Sequence, residues 1–302
     1  MKRILGFILK FLISSILLYI FLSRVDISAV KEILKQIKIP LFIAGFFIYL
    51  SNVFVATKRW SLFLPSGLEY FKLVSLYFIG SFFNTFLPGP VGGDAVKAFY
   101  LYRHIGKGGL SLAAVFMDRY MGLIAMVCIA FISLIGGYSY IKGTEIVWVI
   151  LILMGALLLA SLFLWRVNWG KIKFLSSFYA PLMEYKSKRK AIYNGLMLGF
   201  AVQCIGITSI YFLSLSIGFR TSIIYFFMFI PIISAASAIP VSVAGLGIRE
   251  AGYVILFTKI GVTSAEALSL SLLVFTTMVL FNLIGGIEYL RIGKGLQMTT
   301  DK

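Results

Sequence analysis

The chain has 302 residues, of which 60% are hydrophobic and only 13% charged, and its mean hydropathy is +0.99. An average soluble domain runs roughly 45–50% apolar and about 25% charged, so this surplus cannot all be core beneath a polar coat, and lipid is the solvent for much of the chain. The same numbers exclude fibrous, disordered and disulfide-stapled classes. The net charge is +17, which in a soluble protein would suggest nucleic acid. In a membrane protein it reads instead as cytoplasmic-side Lys and Arg facing anionic lipid.

A spanning helix needs about 20 mostly apolar residues. The first candidate, 4–23, opens on Lys2 and Arg3 like a signal peptide. Its apolar run is too long and no small-residue cleavage site follows, so a retained helix is expected. Further candidates follow at 39–57, 109–137, 146–165, 191–217 and 266–290. Two more apolar stretches, 68–104 and 222–260, are interrupted near their middles by Pro and Gly. Each is expected to be a re-entrant hairpin or a pair of short spans, and in either case it leaves the side of the membrane unchanged. The expected fold class is therefore an all-α polytopic membrane protein, a single transmembrane domain over 1–302. It has about six spanning helices plus two broken hairpins, or eight or more shorter spans.

With the N-terminus inside, nineteen Lys and Arg fall on the inner side and seven on the outer, while Arg119 and Arg249 lie embedded. This bias places both termini in the cytoplasm of a multi-pass protein of the cell membrane. The basic loop of about 166–190, with its run Lys186-Ser-Lys188-Arg189-Lys190, reads as the topological anchor. Cys128 and Cys204 sit in apolar runs, and His104 is the lone histidine, so neither a metal site nor any cofactor is expected.

Self-comparison gives the most informative pattern. The first break reads Leu87-Pro88-Gly89-Pro90-Val91-Gly92-Gly93-Asp94, and the second runs from Pro240 through Gly245-Leu246-Gly247-Ile248-Arg249-Glu250. Pro88 and Pro240 are 152 residues apart, and so are Lys38 and Lys190. Each unit reads as span, broken hairpin, span, over about 39–137 and 191–290. On the orientation above the two units are inverted relative to each other, a layout common in secondary transporters.

Backbone unwound at membrane depth survives only where protein or a water-filled cavity satisfies it. Gly92-Gly93 followed by Asp94 reads as a loop feeding a helix N-terminus, with Asp94 as N-cap, and Gly247 with Arg249 reads similarly. Glycines there let free N–H groups approach an anion, and Arg249 adds a bidentate phosphate donor. Asp118-Arg119 is sharper still, because charges so deep in the run 110–135 tend to face a bundle interior or cavity. Asp118 is expected to pair with Lys97 or Arg249, leaving Arg119 for a ligand phosphate. Arg59-Trp60 closes the second span, where interfacial snorkelling is the simpler reading and phosphate contact the sharper one. Asn52 and Asn84 are expected to bond between helices, and Glu266 and Glu288 to be ordinary end charges. No catalytic motif is present, so no enzyme activity is expected.

The order of these residues resembles a known family. Arg59-Trp60, then Phe82-Phe83-Asn84-x-x-Leu87-Pro88-Gly89-x-x-Gly92-Gly93-Asp94, then Asp118-Arg119-x-x-Gly122, then Pro240 with Gly245, Gly247 and Glu250 are similar to the flippase-like transmembrane domain. This is the module at the N-terminal side of bacterial lysylphosphatidylglycerol synthases, also found alone or fused to some archaeal glycosyltransferase-like proteins. The resemblance runs from about residue 10 to 290. In the synthases it implies movement of an anionic or aminoacylated phospholipid between leaflets; the soluble aminoacyl-transfer domain is not found in this chain, so synthase activity is not expected.

The expectation is a lipid translocator for an anionic phospholipid or a polyprenyl-phosphate-linked lipid. Arg119, Arg249, Lys97 and Arg59 would bind the lipid phosphate. Asp94, Asp118 and Glu250 would balance these cations, and one could carry a coupling proton. Pro88, Gly89, Pro90, Gly92, Gly93, Pro240, Gly245 and Gly247 would supply hinges. The rival readings are a small-solute or ion transporter, a membrane scaffold for a glycosyltransferase, and an intramembrane lipid-modifying enzyme. Membrane lipids are the expected partners and nucleic acid is not; a second copy of the chain or a glycosyltransferase stands open as protein partner.

Overall fold

The structure, a computed structural model, describes residues 26–86, 92–141, 146–166, 176–237 and 246–296. The candidate span 4–23 and both Pro-Gly breaks, hence Pro88, Gly89, Pro90, Pro240 and Gly245, lie outside the described residues. Among those described, the chain forms eleven helices and no strand, the architecture of an all-α polytopic membrane protein. In chain order they are α1 (Ile27–Lys35), α2 (Ile39–Ser61), α3 (Tyr70–Phe86), α4 (Gly92–Ile105) and α5 (Gly108–Ile141). There follow α6 (Ile146–Arg166), α7 (Ser176–Ser187), α8 (Arg189–Ser216), α9 (Ile223–Ser237), α10 (Ile248–Thr258) and α11 (Ser264–Leu296). Among the described residues four stretches are long and apolar enough to cross a membrane: Ile39–Ser61, Gly108–Ile135, Arg189–Ser216 and Ser264–Arg291. The two interrupted stretches of the sequence become the helix pairs α3–α4 and α9–α10.

Local chemistry explains where helices begin and end. Asp26 caps α1, its carboxylate accepting from the backbone N–H of Ser28 at 2.8 Å and Ala29 at 3.1 Å. Gly218, at φ +82°, follows the end of α8 and lets the Phe219 N–H turn back to the Ser214 carbonyl at 3.1 Å. Thr263 and Glu266 form a reciprocal capping box at the start of α11. The Glu266 N–H donates to the Thr263 hydroxyl at 3.2 Å, and the Thr263 N–H to the Glu266 carboxylate at 2.9 Å. Glu266 is thus a capping group and more than an end charge.

The tertiary arrangement follows the order long, short, short, long twice. Helices α2 to α5 have 23, 17, 14 and 34 residues, and α8 to α11 have 28, 15, 11 and 33. α2 and α8 make the most extensive pairing, and they run antiparallel. The Lys38 N–H donates to the Ser216 carbonyl at 2.8 Å, the Ser209 hydroxyl donates to the Gly45 carbonyl at 2.7 Å, and Phe63 packs on Gly195. The closing helix of each set packs against the second helix of the other. Phe78 and Phe83 of α3 meet Phe281 and Tyr289 of α11, with centroids 5.1 and 5.0 Å apart. Ile129, Ala130 and Leu134 of α5 join a buried cluster with Phe226, Phe229 and Ile233 of α9.

Small residues let the long helices approach closely, as expected where lipid removes the hydrophobic drive for helix association. A Cβ on Gly199 of α8 would stand 2.9 Å from the Met121 carbonyl of α5. That crossing holds α5 and α8 together beside the charged residues.

Candidate functional site

The embedded charges converge on one place. Arg59 of α2 donates from Nε to Asp118 Oδ1 at 2.7 Å, and Lys97 of α4 donates from Nζ to Asp118 Oδ2 at 3.2 Å. The Tyr77 hydroxyl of α3 adds a third donor to Oδ2 at 3.3 Å. The side chains of Arg59, Lys97 and Asp118 are only 5%, 5% and 1% exposed. Snorkelling therefore does not describe Arg59: its guanidinium turns into the bundle, because Asp118 offers a buried counter-charge there. Arg59 and Lys97 also drop out of the topological count, since both side chains are buried in the bundle.

The Lys97 ammonium is further held by aromatic faces, 4.0 Å from the Tyr77 centroid and 4.6 Å from that of Trp60. An ammonium desolvated against two rings gains cation–π attraction that offsets part of its lost hydration. Tyr77 and Trp60 are the site residues that sequence reasoning missed in this role. Trp60 could have been suspected from its place beside Arg59, whereas Tyr77 sits in an unremarkable apolar run.

Asp94 and Arg119 form a second ion pair. Arg119 is thus not left for a ligand alone, and Asp118 pairs with Lys97 and Arg59, not with Arg249. Asp94 is also not the N-cap. α4 begins at Gly92, which puts Asp94 inside its first turn, and the Gly93 N–H is taken by the Asn84 side chain at 2.9 Å. Asn84 bridges α3 and α4 in this way, as an inter-helix bond should.

These groups line a cavity of about 610 Å³. Its walls come from Arg59 of α2, from Tyr77, Gly80, Ser81 and Asn84 of α3, and from Asp94 and Lys97 of α4. The rest is Phe116, Asp118, Arg119, Tyr120, Gly122, Leu123 and Met126 of α5, Val202 and Gln203 of α8, and Ser234 of α9. The Gln203 amide donates to the Gly122 carbonyl at 3.1 Å and ties α8 to the wall. Among the described residues Arg59 Nη1 is buried with no hydrogen-bond partner, and a Cβ on Gly122 would come within 2.8 Å of it. A buried guanidinium nitrogen without an acceptor carries a desolvation penalty that an anion in the cavity would relieve.

Arg249 and Glu250 do not line this cavity. Gly247, at φ +85°, precedes α10, and its N–H donates to Glu250 Oε2 at 2.7 Å. Arg249 donates to Glu250 Oε1 from Nε at 3.1 Å and Nη2 at 2.5 Å, and its guanidinium lies 4.9 Å from the Phe275 centroid of α11. The second glycine loop thus presents a pair that neutralises itself, beside Met278 and Ser271. Its N–H group at Gly247 is occupied by the chain's own carboxylate. Among the described residues no cluster of His, Cys, Asp and Glu could hold a metal ion.

The family described as the Lysylphosphatidylglycerol synthase TM region matches residues 7–286. A UPF0104 membrane protein of Pyrococcus horikoshii is 26% identical over 303 residues, covering 88% of this chain and 90% of that protein. No solved structure matches the chain.

Proposed function

The chain belongs to the family of the lysylphosphatidylglycerol synthase transmembrane region, and on that footing we propose that it moves an anionic lipid between membrane leaflets. The lipid is an anionic phospholipid or a polyprenyl-phosphate-linked lipid, and its phosphate occupies the cavity beside Arg59, Lys97 and Arg119. One observation carries the reading. A cavity bounded by apolar helices holds three cations against two carboxylates, with a buried Arg59 nitrogen lacking an acceptor. Ionisable groups at membrane depth are expensive and mark substrate paths more often than packing.

The doubled helix order and the antiparallel α2–α8 pair support two inverted units, about 39–137 and 191–290, rocking against each other in the manner of secondary transporters. The end carrying Lys58, Lys72, Lys107, Lys186, Lys188, Arg189 and Lys190 lies in the cytoplasm, with both termini there, in the cell membrane. In this reading the protein is a transporter and not an enzyme. Asp94 and Asp118 hold the cavity cations while the site is empty.

Translocation of a fluorescent lipid in proteoliposomes tests the proposal. Lys97→Met leaves Asp118 paired with Arg59 and removes the excess charge, so it should abolish translocation while the protein still elutes as a folded species. A wild-type rate in this variant refutes the mechanism. The size of the cavity also suits a small anion. Lipid identified by mass spectrometry on the purified protein counts against that alternative.

A further inference from the structure

We propose that the cavity selects headgroups bearing one net negative charge, phosphodiesters without a cationic substituent, over phosphomonoesters and zwitterionic phosphodiesters; this rests on the translocation reading above. Among the described residues the ionic inventory of the cavity is short. α2 supplies Arg59, α4 supplies Asp94 and Lys97, and α5 supplies Asp118 and Arg119, while the lining residues of α3, α8 and α9 are uncharged. Both carboxylates are ion-paired. Three cations against two anions leave a single positive charge in excess.

An uncompensated charge among side chains as buried as Arg59, Lys97 and Asp118 is costly, so the favoured occupant brings the sum to zero. A phosphodiester headgroup with no cationic substituent carries one negative charge and does so. A phosphomonoester carries about −1.5 to −2 at neutral pH and overshoots. A zwitterion contributes no net charge and leaves the excess in place.

The excess is localised. Asp94 and Arg119 neutralise each other, and the Arg119 side chain is 45% exposed, so this pair stands at the open side. Arg59 and Lys97 share one carboxylate deeper in, where Arg59 Nη1 has no partner. An entering phosphate meets Arg119 first, with Asp94 as the counter-ion it must displace, and then reaches the inner pair. Asp94 is therefore specificity-determining: without its charge the excess becomes two.

The test uses phosphatidylglycerol, phosphatidic acid and phosphatidylcholine, each labelled on an acyl chain so that the headgroup charge is unaltered. Translocation in proteoliposomes is read by quenching of the exposed leaflet. Wild type should move phosphatidylglycerol at least about tenfold faster than the other two at about pH 8, and Asp94→Asn should raise the phosphatidic acid to phosphatidylglycerol ratio by about tenfold. A second arm needs no variant. Lowering the pH to about 5, below the second phosphate pKa near 6, turns phosphatidic acid into a monoanion and should raise its rate relative to phosphatidylglycerol in wild type. Equal rates for the three headgroups at both pH values, with all of them lost in Lys97→Met, overturn charge selection and leave translocation standing. No movement of any headgroup by wild type overturns both.

Discussion

Asp118 compensates two buried cations at once, so its neutralisation is the most informative perturbation of the bundle. In Asp118→Asn the shape is kept, but the amide presents an N–H₂ toward Arg59 or Lys97 where an oxygen had accepted. At the observed 2.7 and 3.2 Å, gross attractions of about 6 and about 5 kcal/mol are lost at an effective dielectric constant of about 20. Most of that is cancelled by desolvation in the native state, and removing one partner of a buried pair costs a net of about 3–5 kcal/mol. The midpoint of thermal unfolding in detergent should fall on the order of 10 °C. A double variant, Asp118→Asn with Lys97→Met, restores the original charge excess of the cavity. It should recover about 1–3 kcal/mol of the loss, because residues in one ion network do not add. The assay is thermal denaturation followed by loss of the monodisperse species on size exclusion, at fixed detergent and protein concentration. If Asp118→Asn melts within about 2 °C of wild type, or if Lys97→Met merely adds a further loss, the charge-compensation argument is refuted.

Three further outcomes follow from particular contacts. Gly122→Ala places a Cβ 2.8 Å from Arg59 Nη1, so the guanidinium must shift. Translocation should fall while far-UV helicity is retained, and an unchanged rate would show that the position of Nη1 is irrelevant. Glu250→Gln strips the counter-charge from Arg249 and should destabilise by about 3–5 kcal/mol, with Arg249→Met in the same chain recovering much of it in a melting assay. Thr263→Ala removes the cap of α11 and should cost about 1 kcal/mol of stability. Because no residue of α11 is among those lining the cavity, it should leave translocation rates as they are.

Much of the architecture was legible along the chain. Apolar runs marked the helices, because a lipid-solvated helix must be apolar over its full length, and the four apolar spans fall where hydropathy put them. Pro88 and Pro240, which suggested a doubled pattern, lie outside the described residues, where the helices run long, short, short, long from α2 to α5 and again from α8 to α11. Asp94, Lys97, Asp118, Arg119, Arg249 and Glu250 stood out as charges that break the apolar rule, and the first four line one cavity while Arg249 and Glu250 do not. Tyr77 and Gln203 carried no such mark, since a tyrosine or glutamine in an apolar run costs too little to be conspicuous.

The sequence by itself determined the class of solvent, the helical character and the small set of charges that lipid could not tolerate unpaired. Each of these is a local property, summed over about 20 consecutive residues. Only the tertiary structure decided the partners. Arg59 looked interfacial because it ends a span, yet it is buried on Asp118, 59 residues away. Arg249 looked equivalent to the cavity cations, yet its own neighbour Glu250 claims it. Pairing among buried charges depends on which helices cross and at what depth, and close approach at Gly195 and Gly199 sets that crossing for α2, α5 and α8.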